Sequence, residues 1–133
     1  MSVVVDSSVL VAALVDAGAN GTWAEAIVAR GSLHAPELAR VEATNVLRRL
    51  ELAKQITTPE ANAGHEDLMQ LNLELYPFDL FAERVWELRR TLTSYDAWYV
   101  ALAEALNLPF ATLDERLAKA TGVSCEFLTP RKS

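Results

Sequence analysis

Four carboxylates sit among apolar residues where chemistry is a natural question. Asp6 ends the run "VVVD", Glu42 lies inside "ELARVEATNVLRRLELAK", Asp96 opens "YDAWYVALAEAL" and Asp114 follows "FATL". Taken singly, Asp6 and Asp114 are most simply N-caps between a strand and a helix, satisfying free backbone N–H groups. Capping does not account for Glu42, whose i−4 and i+4 neighbours, Leu38 and Val46, mark the side expected to face the core. A carboxylate on that side needs a partner. Asn45 projects from the same side and is placed to orient it. Asp96 is explained equally well as a functional acid and as a first-turn acid favoured by the helix dipole, with Ser94 as the cap.

Carboxylates brought together without countercharge repel one another and raise their pKa values, so a shared site requires a cation. Oxygen donors alone select a hard ion, Mg²⁺ or Mn²⁺, over zinc. Such an ion lowers the pKa of a bound water, holds a phosphate and offsets charge on a leaving oxygen. That chemistry needs no histidine or cysteine nucleophile, and neither His34 nor His65 is given a role. Arg40, Arg48 and Arg49 lie within two turns of Glu42, and Arg116 follows Asp114. They are the candidates for phosphate contact, although plain solvated helix surface accounts for each taken alone.

The elements that must position these acids alternate along the chain. "SVVVD" predicts a buried strand, and "SSVLVAALVDA" the helix after it, with Ser7 or Ser8 near its start. "TWAEAIVAR" is a helix with Gly31 as a C-cap, and "SLHA" is a strand. Pro36 suits the first turn of the long helix that carries Glu42. A polar helix from Pro59 to Leu73 leads to the strand "ELYPF", then to the helices "FAERVWELRRTL" and "SYDAWYVALAEALN". "PFATLD" and "CEFL" are strands on either side of a short helix, "ERLAKAT". Strands separated by helices require crossover connections, so the fold class is α/β with a parallel sheet of four or five strands. In such sheets the functional crevice lies beyond the carboxyl ends of the strands, where Asp6 and Asp114 fall.

Composition restricts the partners. With 133 residues and 51% hydrophobic content, residues 1–133 are expected to form one domain with a real core. The 18 acidic and 12 basic residues leave a net charge of −6, which excludes a clamp on nucleic acid over the whole surface; a polyanion must be met by a local basic patch or by metal. One cysteine, Cys125, excludes an internal disulfide and suits a reducing compartment, here expected to be the cytoplasm. The apolar run "VLVAALV" is bracketed by Asp6 and Asp16 with no basic residue before it, and it is too short to span a bilayer.

Together, "VVVDSSVLVAAL", "APELARVEATNVLRR", "LTSYDAWYVALAEALNLPFATLDERL" and "FLTP" resemble the PIN domain, specifically ribonuclease toxins of the VapC type. The resemblance spans almost the whole chain. It implies a three-layer α/β/α sandwich in which Asp6, Glu42, Asp96 and Asp114 bind divalent metal and cleave RNA. It also places Ser7 or Ser8, and Thr112, beside the acids. It further implies an antitoxin partner covering the active-site groove and a homodimer, for which Trp23, Trp86, Trp98, Tyr99 and Phe81 supply apolar surface, most of it expected to be core. Two other classes compete. In a phosphoacceptor receiver, Asp79 would be the acceptor, but a single acid ends the first strand, "TPRK" offers no lysine directly after the last strand, and Glu42 and Asp96 go unexplained. A non-catalytic module on a degenerate nuclease scaffold would be expected to have lost an acid, and all four are present.

Overall fold

The computed structural model describes residues 1–130, so the end of "TPRK" lies outside the described residues. In chain order the elements are β1 (Ser2–Val5), α1 (Ser7–Val15), α2 (Ala19–Val28), β2 (Ser32–Pro36), α3 (Ala39–Leu52), α4 (Thr58–Gln70), β3 (Leu73–Tyr76), α5 (Ala82–Glu87), α6 (Ser94–Leu106), β4 (Phe110–Ala111) and β5 (Phe127–Leu128). The five strands form one parallel sheet in the order β3-β2-β1-β4-β5. Helices α1 to α4 pack among themselves, while α5 packs on α6 and α6 lies against β1, β2 and β4. This is a three-layer α/β/α arrangement. The strand order differs from the 2-1-3-4-5 order of receiver-type folds, and Asp79 follows the edge strand β3, which removes the receiver alternative.

The core begins in β1, whose Val3, Val4 and Val5 are fully buried because both faces of a parallel sheet are covered. Helix α6 is buried over Ala97–Ala103, as its nearly all-round apolar sequence requires. Thr57 starts α4 through a capping box with Glu60.

Several boundaries differ from the sequence expectation for identifiable reasons. Pro36 closes β2 instead of opening α3: the pairing of β1 with β2 runs only to Val4 and His34, so no β1 ladder needs the N–H that proline lacks. Leu73 belongs to β3, where it pairs with Leu33, and α4 stops at Gln70. Gly31 is not the cap of α2. It takes φ +145°, and a Cβ there would stand 2.4 Å from the Met1 carbonyl oxygen, so glycine serves a close approach of the chain start. Helix α5 ends at Glu87, where the Arg89 guanidinium donates to the Trp86 carbonyl at 2.9 Å. "ERLAKAT" yields only a 3₁₀ turn, Leu117–Lys119.

Candidate active site

The sheet order reverses between β1 and β4, and the chain leaves both strands at the same end. Asp6 follows β1, and Thr112 follows β4. The Asp6 carboxylate is 8% exposed and does two jobs at once. Its Oδ1 accepts the Val9 backbone N–H at 3.1 Å as the N-cap of α1, and also the Ser8 hydroxyl. Its Oδ2 accepts the hydroxyl of Thr112, a fully buried residue. Thr112 Oγ1 in turn accepts the Asp114 backbone N–H at 3.0 Å, and Ser8 Oγ accepts that of Leu113 at 3.3 Å. Two hydroxyls therefore tie the ends of β1 and β4 together through one carboxylate.

Helix α3 presents Glu42 from its first turn, half-buried at the edge of a stripe made by Ala39, Ala43 and Leu47. Glu42 Oε1 accepts the hydroxyl of Tyr99, on α6, at 2.7 Å. Helix α6 also presents Asp96, whose backbone N–H is capped by Thr93 Oγ1 at 3.2 Å. Asp114 is exposed, and its Oδ1 holds the 3₁₀ turn through the backbone N–H groups of Arg116 (3.0 Å) and Leu117 (3.2 Å).

Electrostatics sets these acids apart. Burial raises the pKa of Asp6 above the usual carboxylate value although Ser8, Thr112 and Val9 donate to it. Burial raises Glu42 too, with repulsion from Asp96 and Asp6 adding to it. Asp96 is raised by burial and by Asp114, partly offset by Thr93 and Arg116. None of the ion pairs among the described residues involves any of the four. Their donor set is oxygen alone, negative and lacking a paired cation, which fits a hard divalent ion. Among the described residues no three His, Cys, Asp or Glu side chains stand close enough together to enclose an ion.

A family model described as the PIN domain matches residues 3–123. The chain belongs to the PIN-domain family. Among relatives of this PIN domain, ribonuclease VapC1 of Mycobacterium tuberculosis is 45% identical over 121 residues, covering 86% of this chain and 90% of its own. Two solved Mycobacterium tuberculosis structures share the fold. VapC20, a sarcin-ricin loop cleaving toxin, superposes with a TM-score of 0.67 at 16% identity over 92% of this chain and 96% of that one. A VapBC-5 chain of the VapBC family of toxin-antitoxin systems gives 0.58 at 22% identity over 98% of each.

Around the acids of this PIN domain, several expected neighbours are placed differently. Ser8, not Ser7, offers its hydroxyl to Asp6. Thr93, not Ser94, caps α6. Asn45 is exposed and makes no hydrogen bond to Glu42, because Glu42 reaches across to Tyr99 on α6 instead of along its own helix. Leu38 is 39% exposed and Val46 only partly buried, so the buried stripe of α3 runs one position away from the one expected. Arg40 is committed elsewhere: its guanidinium donates to the carbonyls of Leu68 and Leu71 at the end of α4. Arg48, Arg49 and Arg116 are exposed. Phe81, Trp98 and Tyr99 are core, whereas Trp86 is 67% exposed with the Arg89 guanidinium over its ring. Tyr99 was the residue the sequence underrated; its signal is the i, i+3 spacing from Asp96 in "DAWY". No helix among the described residues is long and apolar enough to cross a membrane.

Proposed function

We propose that this PIN domain is a divalent-metal-dependent endoribonuclease, the toxin of a toxin–antitoxin pair, with Asp6, Glu42, Asp96 and Asp114 as the acids that would hold Mg²⁺ or Mn²⁺. The observation that carries it is the buried Asp6 carboxylate at the point where the sheet order reverses, facing other acids and no paired cation. Kinship with a named ribonuclease at 45% identity gives the reaction class. The bound ion would supply a water of lowered pKa and a positive charge beside the scissile phosphate.

The protein's own residues do the rest. Ser8 and Thr112 fix both Asp6 oxygens, so that this carboxylate presents one orientation. Asp114 spends Oδ1 on the turn, and its exposed side chain leaves Oδ2 for a ligand. Arg116 lies near enough to Asp96 to lower its proton affinity and would draw a phosphate toward the acids. Arg48 and Arg49 extend the positive edge along α3, as a chain of net charge −6 requires if it is to hold RNA.

The partner reading rests on a second feature. A cavity of about 630 Å³ is lined by Ser8 and Leu113, chain neighbours of the Asp6 and Asp114 region, and by Ile56. Its walls are apolar, with Val11, Val15, Val46 and Leu50, and Asp16 and Glu60 also line it. An antitoxin segment with apolar residues inward and basic residues at the rim complements it. Exposed Leu38, Phe78 and Tyr95, which share a smaller groove with Trp98, are the apolar surface available to a homodimer. The deciding experiment is incubation of total RNA with the purified chain in Mg²⁺, in Mn²⁺ and in chelator, with the new ends mapped by sequencing. Defined cuts that appear only with metal are expected; an intact RNA pool in both metals would refute the assignment.

A further inference from the structure

We propose that Tyr99 is the positioning residue for Glu42, holding one oxygen of that carboxylate so that the other is presented to the cation. The inference rests on the nuclease reading of the acids and adds a residue to it.

Tyr99 is 3% exposed, and its ring stacks on Phe110 with centroids 5.6 Å apart and planes inclined by 3°. Phe110 is fully buried and opens β4, the strand that leads to Thr112 and Asp114. The ring is therefore clamped between α6 and the sheet, and its hydroxyl reaches Glu42 Oε1 at 2.7 Å from a fixed platform. Glu42 needs such an anchor. Its side chain is long and half-buried, and among the described residues neither its own helix neighbour Asn45 nor any arginine or lysine pairs with it. Left free, it would lose rotamer freedom only on binding an ion and would weaken that binding accordingly.

The chemistry of the tether is also specific. The Tyr99 hydroxyl, on a buried ring, donates to Glu42 Oε1 at 2.7 Å as a neutral group. It adds no negative charge to a site that already has too much. Because Asp96 and Tyr99 are one turn apart on α6, the same helix that presents one acid aims another on α3. Outer partners of this kind fix ligand orientation in metal sites and typically change metal affinity by about 10–100-fold when removed.

The test is Tyr99→Phe, which keeps the ring on Phe110 and deletes only the hydroxyl. Mn²⁺ binding to the full chain, read from the electron paramagnetic resonance signal of free Mn²⁺, should weaken about tenfold, while the metal-free melting curve shifts little. Glu42→Asp, one methylene shorter, should lose the reach to Tyr99 and weaken Mn²⁺ similarly. In a Glu42→Ala background, which removes the acceptor altogether, Tyr99→Phe should cause no further loss, because the two act through one bond. A purely structural tyrosine would change melting and leave Mn²⁺ affinity alone. Wild-type affinity in Tyr99→Phe, or losses that add in the double variant, would overturn the inference while leaving the nuclease assignment intact. If wild type itself bound no Mn²⁺ and cut no RNA, the assignment and the inference would fall together.

Discussion

Asp96 and Glu104 stand at opposite ends of α6, and the fold treats them in opposite ways. Glu104 accepts Arg84 Nε at 2.7 Å and Nη2 at 3.0 Å, and it also takes the Ser124 backbone N–H at 2.8 Å and hydroxyl at 3.0 Å. Arg84 further donates to the Gly122 carbonyl at 2.8 Å, so the cluster fastens the loop before β5. Its partners hold Glu104 below the ordinary carboxylate value. Asp96 has burial and Asp114 raising it, with only Thr93 and a more distant Arg116 in relief. A chain able to build a bidentate arginine clamp at one end of a helix has left the other end electrostatically unsatisfied. Such a deficit marks where binding energy from outside is to enter, since a ligand cation can offset what the protein does not.

Variants at each end should separate the two behaviours. The largest effect belongs to Asp6→Asn. The amide oxygen still caps Val9, and its N–H₂ group can donate to Thr112, so the metal-free melting temperature should hold or rise as one repelling charge disappears. RNA cleavage should fall by more than about 100-fold, beyond the usual cost of losing an outer partner. Normal cleavage with early melting would make Asp6 a cap and nothing more. Arg84→Ala attacks the satisfied end and should do the reverse. Its side chain is 35% exposed, so stability should drop by about 1–2 kcal/mol, between the values for surface and buried pairs, with Mn²⁺ affinity unchanged. Urea denaturation of both variants checks this, and a loss of metal binding in Arg84→Ala would break the contrast.

The pH dependence has opposite signs at the two ends. Asp6, Glu42 and Asp96 hold protons more tightly when folded, so their contribution to stability is full below the ordinary carboxylate value of about 4 and is lost as pH rises through their raised values. Glu104 contributes above that ordinary value, and its share is lost as pH falls through its lowered one. Metal-free protein should therefore lose stability as pH rises from about 4, and saturating Mg²⁺ should flatten that decline; urea midpoints at a series of pH values would show it. A metal-free profile that climbs across this range would mean the acids are not mutually strained. The smallest effect concerns charge at the rim. Replacing Arg48 and Arg49 by Gln should lower the log–log salt slope of RNA binding by about 1.4, at about 0.7 per phosphate contact. Arg89 and Arg90, on another segment and with Arg89 stacked on Trp86, should change it less. Equal slopes for both pairs would remove the proposed patch.

What could be read from the chain followed from local pattern. "SVVVD" announces β1 because three consecutive valines suit a strand covered on both faces, and the apolar run after Asp96 announces a buried α6. What could not be read depended on where distant elements meet. Pro36 is compatible with a helix start and with a strand end, and only the length of the β1 ladder decides between them. Asn45 was favoured for Glu42 by spacing along one helix, whereas the partner comes from α6, fifty-seven positions away. The caps show the same limit at short range: Thr93 and Ser94 are both good cap residues, and neighbouring backbone geometry chooses Thr93.

The hydrogen bond between Thr112 and Asp6 spans 106 positions, and Thr112 is itself fixed by the Leu128 carbonyl, which accepts its N–H at 3.0 Å. The beginning of the chain thus waits for its far part. During synthesis β1 leaves the ribosome long before β4 and β5, at about 5–20 residues per second, and Asp6 has no Thr112 to meet until residues through Leu128 have emerged. That pairing is therefore assembled last: a nascent or truncated chain holds Asp6 at the end of its first strand without the hydroxyl that fixes Oδ2, and the time to translate the remainder is a built-in delay before it forms.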